Sequence, residues 1–64
     1  MNLVSGEIIE IYVRDATTMA KVSVKGAFVH VPLLLLPDAK VGDQILIESG
    51  VAISKVEVLN KEES

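Results

Sequence analysis

The 64-residue sequence contains no cysteine and no tryptophan, and its only tyrosine and phenylalanine are Tyr12 and Phe28. Without cysteine, the chain has no disulfide, no nucleophilic thiol and no thiolate metal ligand. Six Lys and Arg residues against nine Asp and Glu residues give a formal net charge of −3. We therefore expect no nucleic-acid partner, because such binding needs clustered cations for the phosphates or several rings for stacking.

Long hydrophobic runs are also absent. The longest apolar stretch, residues 31–36, is interrupted by Pro32 and is far shorter than the roughly 20 residues that cross a bilayer. The N-terminus lacks the basic segment and long apolar run of a signal peptide. We therefore expect no membrane helix and a cytoplasmic protein.

Catalytic and metal-binding groups are scarce. His30 is the only histidine, and a nucleophilic serine needs a base at a definable spacing, while transition-metal sites need several His or Cys ligands. We interpret His30 as a surface or cross-strand histidine, and Asp38 and Asp43 as turn residues with structural roles. A chain this short also leaves little room for an enclosed cleft. The sequence therefore predicts a protein that is not an enzyme and has no cofactor and no metal site.

Half of the residues are apolar and the mean hydropathy is +0.48, which favours a folded domain; we place it at residues 1–59, followed by a charged tail at 60–64. Short β-branched stretches separated by turn residues predict an all-β fold. The first predicted strand runs from Gly6 to Arg14, with Ile9, Ile11 and Val13 on one face and Glu10, Tyr12 and Arg14 on the other. A polar break at residues 15–18 precedes a second strand, in which Ala20, Val22 and Val24 alternate with Lys21, Ser23 and Lys25. Lys25-Gly26 is predicted to form a two-residue hairpin loop.

The second half of the chain contains the remaining predicted strands. The third strand covers residues 27–31 and ends at Pro32, which has no N–H to donate. Leu33–Leu36 is interpreted as core filler at one end of the fold, and residues 41–43 as a tight turn. A fourth strand follows, with Ile45 and Ile47 on one face and Gln44, Leu46 and Glu48 on the other. Gly50 is predicted to form a bulge or a corner before a last strand at residues 52–59, in which Ser54, Val56 and Val58 share a face.

Four segments together resemble the HupF/HypC family of hydrogenase maturation chaperones. They are Gly6-Glu7-Ile8-Ile9, Met19-Ala20-Lys21-Val22, the stretch from Pro37 to Ile47 that contains Val41-Gly42-Asp43, and Gly50-Val51-Ala52-Ile53-Ser54-Lys55. The resemblance implies a small five-stranded OB-like β-barrel with an accessory role in assembling the iron centre of nickel–iron hydrogenases. It also implies two protein partners, a larger iron–sulfur maturation protein and the precursor of the hydrogenase large subunit.

The sequence departs from the family at two positions that matter for iron. The family's cysteine, directly after the initiator methionine, corresponds to Asn2 or Met1, and the histidine before its glycine-containing last segment corresponds to Glu48. A thiolate is a natural soft ligand for low-spin iron, and neither residue supplies one. We therefore expect partner binding without iron ligation.

The candidate partner-binding residues are taken from the N-terminus and from the segment around Gly50. They are Met1, Asn2, Leu3, Val4, Glu48, Gly50, Val51 and Ala52. Two hypotheses stay open: a maturation chaperone that binds a maturation protein or the large-subunit precursor, and a metal-free structural or regulatory barrel module in an unrelated complex. The Leu33–Leu36 run and open sheet edges also suggest a homo-oligomer.

Overall fold

The computed structural model describes residues 3–56, which form five strands: β1 (Leu3–Arg14), β2 (Thr17–Val24), β3 (Ala27–Pro32), β4 (Gln44–Glu48) and β5 (Val51–Lys55). They make one antiparallel sheet in the order β3-β2-β1-β4-β5. No helix occurs within these 54 residues. The predicted all-β fold with five strands is confirmed. The predicted domain limit at residue 59 and the tail at 60–64 lie outside the described residues.

The sheet curls until its two edge strands, β3 and β5, come into contact. Within residues 3–56 these two strands form no hydrogen-bonded ladder, so the predicted barrel stays open between them. Partly open five-stranded barrels are typical of OB-like folds. The opening between β3 and β5, which we call the seam, leaves backbone groups of both edges without a strand partner.

Three connections are two-residue turns in which both residues have positive φ. They are Asp15-Ala16 (53° and 63°), Lys25-Gly26 (51° and 86°) and Ser49-Gly50 (54° and 78°). Two successive positive φ angles define the type I′ turn, whose twist matches that of the flanking strands. The predicted Lys25-Gly26 hairpin is therefore confirmed. The predicted bulge or corner at Gly50 is wrong, since Gly50 belongs to the turn between β4 and β5, and the polar break before β2 is shorter than predicted because Thr17 and Thr18 belong to β2.

β1 contains a β-bulge that decides which isoleucine is buried. Ile8 lies opposite Val22, whereas Glu10 lies opposite Lys21, so Ile9 is an additional residue. Ile8 is fully buried and Ile9 is 37% exposed. Ile8, and not Ile9, therefore packs in the core with Ile11, and the predicted shared face of Ile9 and Ile11 is wrong because the bulge interrupts the period of two that the prediction assumed. β1 also begins three residues earlier than predicted, and Val13, near its end, is exposed.

The core lies on the concave face of the sheet and follows the predicted alternation of β2 and β4. The buried side chains are Ile8, Ala20, Val22, Val31, Leu33, Ile45, Ile47 and Ala52. Gly6 lets β1 approach β2 closely, because a Cβ at this position would lie 2.6 Å from both the backbone oxygen of Ser23 and Cγ1 of Val22. A side chain at position 6 would therefore push the two strands apart.

β3 extends through Pro32, which pairs with Met19. The backbone N–H of Leu33 donates to the oxygen of Thr18 at 2.9 Å, so the ladder continues beyond the proline. Hydrogen-bonded and non-hydrogen-bonded pairs alternate in an antiparallel ladder, which places Pro32 at a non-hydrogen-bonded position where no ladder bond is lost. The prediction that Pro32 ends the ladder is therefore wrong.

The Leu33–Leu36 segment fills the core only with its first and last residues. Leu33 is buried and Leu36 packs partly buried against the core, whereas Leu34 and Leu35 are 71% and 61% exposed. Two consecutive turns, closed by N–H donation from Leu36 to Leu33 and from Ala39 to Leu36 at 3.1 Å each, direct the chain this way. The core-filler prediction is therefore confirmed for the outer two leucines and wrong for the inner two.

The loop that follows is bonded to the bulged part of β1. Asp43 N–H donates to the oxygen of Lys40 at 3.0 Å, and the φ of Gly42 is 98°, which confirms the predicted tight turn. Gly42 N–H donates to the oxygen of Ile8 at 2.8 Å, and Ile8 N–H donates to the oxygen of Asp43 at 2.9 Å. β5 then ends at Lys55 and carries its own bulge at Ile53. Of the last strand predicted at residues 52–59, positions 57–59 lie outside the described residues.

Candidate functional site

An apolar groove opens along the seam between β3 and the tip of the β4–β5 hairpin. It has a volume of about 370 Å³, in the range of small binding sites. Its lining, which we call the seam groove, consists of Val4, Val24, Val29, His30, Val31, Ile47, Ser49 and Gly50. Most of these side chains are aliphatic, so the groove suits an apolar group.

Six of the eight predicted partner-binding residues come together beside this groove. Leu3 of β1 lies opposite Glu48 of β4, which in turn lies opposite Val51 of β5. One position further along the ladders, Val4 lies opposite Ile47, which lies opposite Ala52. Met1 and Asn2 lie outside the described residues. The N-terminal strand and the segment around Gly50 are thus neighbours in the sheet.

The register divides these residues between the two faces of the sheet, since successive side chains of a strand point to opposite faces. Leu3, Glu48 and Val51 share the convex face, and we call these three residues the N-terminal patch. Leu3 is 53% exposed, while Glu48 and Val51 are half-buried. Val4 faces the seam groove. Ala52 is fully buried in the core, so the prediction that its side chain contacts a partner is wrong.

Glu48 is the charged member of the N-terminal patch. Within residues 3–56 no cationic nitrogen lies within 4 Å of its carboxylate, because the two ion pairs found there both involve Lys55. Its neighbours across the ladders, Leu3 and Val51, are aliphatic. A carboxylate between two apolar side chains gives a protein partner one anionic contact that is surrounded by apolar surface.

The sequence analysis missed a polar contact on the convex face. Tyr12 Oη and His30 Nδ1 lie 2.7 Å apart, and the two rings meet edge-on with centroids separated by 5.8 Å. Lys21 Nζ lies 4.7 Å from the centroid of the Phe28 ring on the same face. His30 is exposed, as predicted, yet its partner is Tyr12, two strands away. The alternation of β1 and β3 places both rings on the polar face, but it does not reveal the order β3-β2-β1 that brings them together.

Asp38 and Asp43 have the structural roles predicted from the sequence. Asp43 Oδ2 accepts the backbone N–H of Lys40 at 2.9 Å, and Lys55 Nζ lies 3.6 Å from a carboxylate oxygen of each aspartate. The hydrogen bond from Lys40 lowers the pKa of Asp43 from its usual value of 3.8; desolvation opposes this shift, and the charge of Lys55 adds to it. This cluster joins the loop after β3 to β5.

No group of three or more His, Cys, Asp or Glu side chains in residues 3–56 could hold a metal ion. In the same part of the chain, no helix has the length and apolar character needed to cross a membrane.

Comparison with known proteins gave one match. The model of the HupF/HypC family matches residues 4–64, which is all of the chain except its first three residues. Searches of the curated proteins and of the solved structures found no significant match. The family match covers every segment on which the sequence resemblance depends, as well as β2 to β5 and all of β1 except Leu3. The chain belongs to the HupF/HypC family.

Proposed function

We propose that this protein is an accessory chaperone in nickel–iron hydrogenase maturation that acts in the cytoplasm. It would bind a maturation protein or the precursor of the large subunit without ligating iron itself. The observation that carries the proposal is the family match over residues 4–64. The family consists of hydrogenase maturation chaperones, which are not enzymes.

The N-terminal patch supports a protein partner rather than a small molecule. It presents the aliphatic side chains of Leu3 and Val51 on either side of Glu48, and the patch borders the mouth of the seam groove through Val4 and Gly50. Apolar contacts at the centre of an interface exclude water, while a charged pair fixes orientation. We therefore expect the partner to present an apolar surface with a Lys or Arg opposite Glu48.

The donor chemistry of the chain supports a role without iron ligation. The sequence contains no cysteine, and the positions that correspond to the family's cysteine and histidine carry Asn2 or Met1 and Glu48. Amide and carboxylate oxygens are hard ligands, whereas low-spin iron favours soft thiolate. In this proposal the iron centre stays with the partner, and this chain contributes binding surface.

The second candidate is a metal-free structural or regulatory module in an unrelated complex. The specific observation that favours it is the same lack of cysteine, since a barrel that has lost its metal-handling residue can be recruited for its surface alone. The two candidates predict different partners, so partner identity separates them.

The test is affinity purification of the tagged full-length chain from its native host under anaerobic conditions. Co-purifying chains are identified by mass spectrometry, and iron is measured on the same eluate. We expect a hydrogenase maturation protein or large-subunit precursor with the wild-type chain. With Leu3→Lys we expect recovery to fall by about tenfold or more, because about 1.4 kcal/mol of binding free energy corresponds to a factor of ten and a buried interface anchor often contributes more.

The matched control is Leu35→Lys, which places the same charge at an equally exposed leucine (61% exposed) in the loop after β3. This variant should recover the partner as the wild type does. Recovery of an unrelated complex would support the module instead. An equal loss of partner recovery in Leu3→Lys and Leu35→Lys would contradict the assignment of the N-terminal patch as the binding surface. The chaperone role would then be decided by the identity of the partner recovered with the wild-type chain.

A further inference from the structure

β3 is an edge strand whose first four residues, 27–30, contain neither a charged side chain nor a proline that would block pairing with another strand. Its six residues, Ala27–Pro32, include no Lys, Arg, Asp or Glu, although charged side chains are the common means of blocking an exposed edge. Residues 27–30 are all exposed, and Phe28 is 57% exposed. These side chains are therefore uncovered, and the backbone edge of this part of β3 has no strand partner within residues 3–56.

The β2–β3 register identifies which backbone groups point outward. Leu33 N–H donates to Thr18, so the hydrogen-bonded pairs recur at every second position, through Val31 and Val29, and the pairs between them are not hydrogen-bonded. Phe28 and His30, opposite Ser23 and Lys21, occupy non-hydrogen-bonded positions. Their N–H and C=O groups therefore point away from β2, into the seam, where no strand of residues 3–56 pairs with them.

We propose that β3 pairs antiparallel with β3 of a second copy of this chain, about a two-fold axis at Val29. In this register Phe28 of one copy lies opposite His30 of the other, and the two such pairs use all four outward N–H groups of the two β3 strands and the four C=O groups of Phe28 and His30. Val29 meets Val29 of the second copy at a non-hydrogen-bonded position on the concave face. The result is one continuous sheet of ten strands.

The pattern favours a second copy over an unrelated extended peptide because it is symmetric about Val29. The unpaired backbone donors and acceptors lie at positions 28 and 30, one on each side of Val29. The pairing ends at both ends of the strand, where Pro32 of one copy, which lacks an N–H, lies opposite Gly26 in the hairpin turn of the other. Each Phe28–His30 pair places two rings directly opposite each other on the convex face, an arrangement that stabilises antiparallel pairs. No like charges meet across this edge, because β3 carries none.

The interface is separate from the N-terminal patch. Leu3, Glu48 and Val51 lie on β1, β4 and β5, so the two surfaces share no residue, although Val29 and His30 also line the seam groove that the N-terminal patch borders. Dimerisation through β3 can therefore be tested with the purified chain alone, whichever partner the N-terminal patch binds.

A single cysteine introduced into this cysteine-free chain gives the sharpest test. Val29→Cys would face itself across the two-fold axis with Cα atoms about 4.5 Å apart, within the disulfide range of about 4.4–6.8 Å. Ala27→Cys, on the same strand and face, is the matched control, because four residue steps of about 3.4 Å separate its two copies. With an effective concentration in the millimolar range inside a dimer, oxidation at ~10 μM protein should cross-link Val29→Cys about two orders of magnitude faster.

Sedimentation equilibrium of the cysteine-free chain provides the independent measurement. The wild-type chain should show twice the monomer mass, Phe28→Lys should show the monomer mass, and the control Leu34→Lys, at a residue that is 71% exposed in the loop after β3, should stay dimeric. A wild-type mass of one chain, or equal cross-linking rates for Val29→Cys and Ala27→Cys, would overturn the proposal. So would a dimer that persists in Phe28→Lys and dissociates in Leu34→Lys.

Discussion

Replacing Gly6 with alanine should lower the free energy of unfolding through steric contact between β1 and β2. Gly6→Ala adds a Cβ that would lie 2.6 Å from a backbone oxygen of β2, and backbone cannot rotate away as a long side chain can. We expect the free energy of unfolding to fall by about 3 kcal/mol, at the upper end of the cost of overpacking. Chemical unfolding followed by far-UV circular dichroism measures this change.

Gly26→Ala is the matched comparison at the residue scale. No atom lies within 4 Å of a Cβ at position 26, but φ is +86°, so its cost is backbone strain of about 1–2 kcal/mol. A loss for Gly6→Ala that does not exceed the loss for Gly26→Ala would contradict the close approach of β1 to β2. The comparison separates steric contact from conformational strain, which a single glycine substitution cannot do.

At the scale of elements, the β1–β2 hairpin contains a residue that its turn does not favour. Ala16 has a φ of +63°, which costs an L-residue about 1–2 kcal/mol. Ala16→Gly would create Asp-Gly, a preferred type I′ pair, while the added freedom of the unfolded chain costs about 0.4–1 kcal/mol. We expect a net gain in the free energy of unfolding of about 0.5 kcal/mol or more, measured by the same unfolding assay.

The control for this hairpin is Ala27→Gly, at the start of β3, where no positive φ is found. Glycine within a strand should lower the free energy of unfolding by about 0.5–1 kcal/mol. A rise in the free energy of unfolding for Ala16→Gly together with a fall for Ala27→Gly would support the type I′ turn at Asp15-Ala16. A loss of stability in both variants would argue against it.

The elements differ in how far the sequence predicted them. β2 and β4 follow a strict period of two, so their buried residues could be read directly. β1 could not be read this way, because Ile8, Ile9 and Ile11 satisfy the hydrophobic pattern either with or without a bulge, and only the pairing with β2 decides between them. The Ser49-Gly50 turn was also not predicted. Ser49 has a positive φ, and the sequence does not indicate this because serine is not a residue typical of that conformation.

At the scale of the whole molecule, the sheet order determines how well the candidate site could be predicted. β1 pairs with β4 across about forty residues of chain, and no local pattern specifies such a pairing. The nearness of Leu3 to Glu48 could therefore not be predicted from the sequence. Their shared face, the burial of Ala52 and the contact between Tyr12 and His30 all depend on the register of strands that are distant in sequence.

The pH dependence of global stability is the remaining prediction, and it depends on the cluster of Asp38, Asp43 and Lys55. The pKa of Asp43 is lowered in the folded chain, first by the hydrogen bond from Lys40 and further by Lys55. A carboxyl group with a lowered folded pKa stabilises the fold above its unfolded pKa, and this contribution is lost as the pH falls through the folded pKa. We therefore expect Asp43→Asn to be less stable than the wild type at pH 7, and the difference to shrink as the pH falls below the usual value of 3.8. Urea unfolding between pH 2 and 7 measures both curves.

Glu7→Gln is the control, because Glu7 is exposed and lies opposite the uncharged residues Ser23 and Gln44. A pH-independent difference for Asp43→Asn, or the same pH dependence in Glu7→Gln, would mean that the charge of Asp43 does not hold the loop to β5.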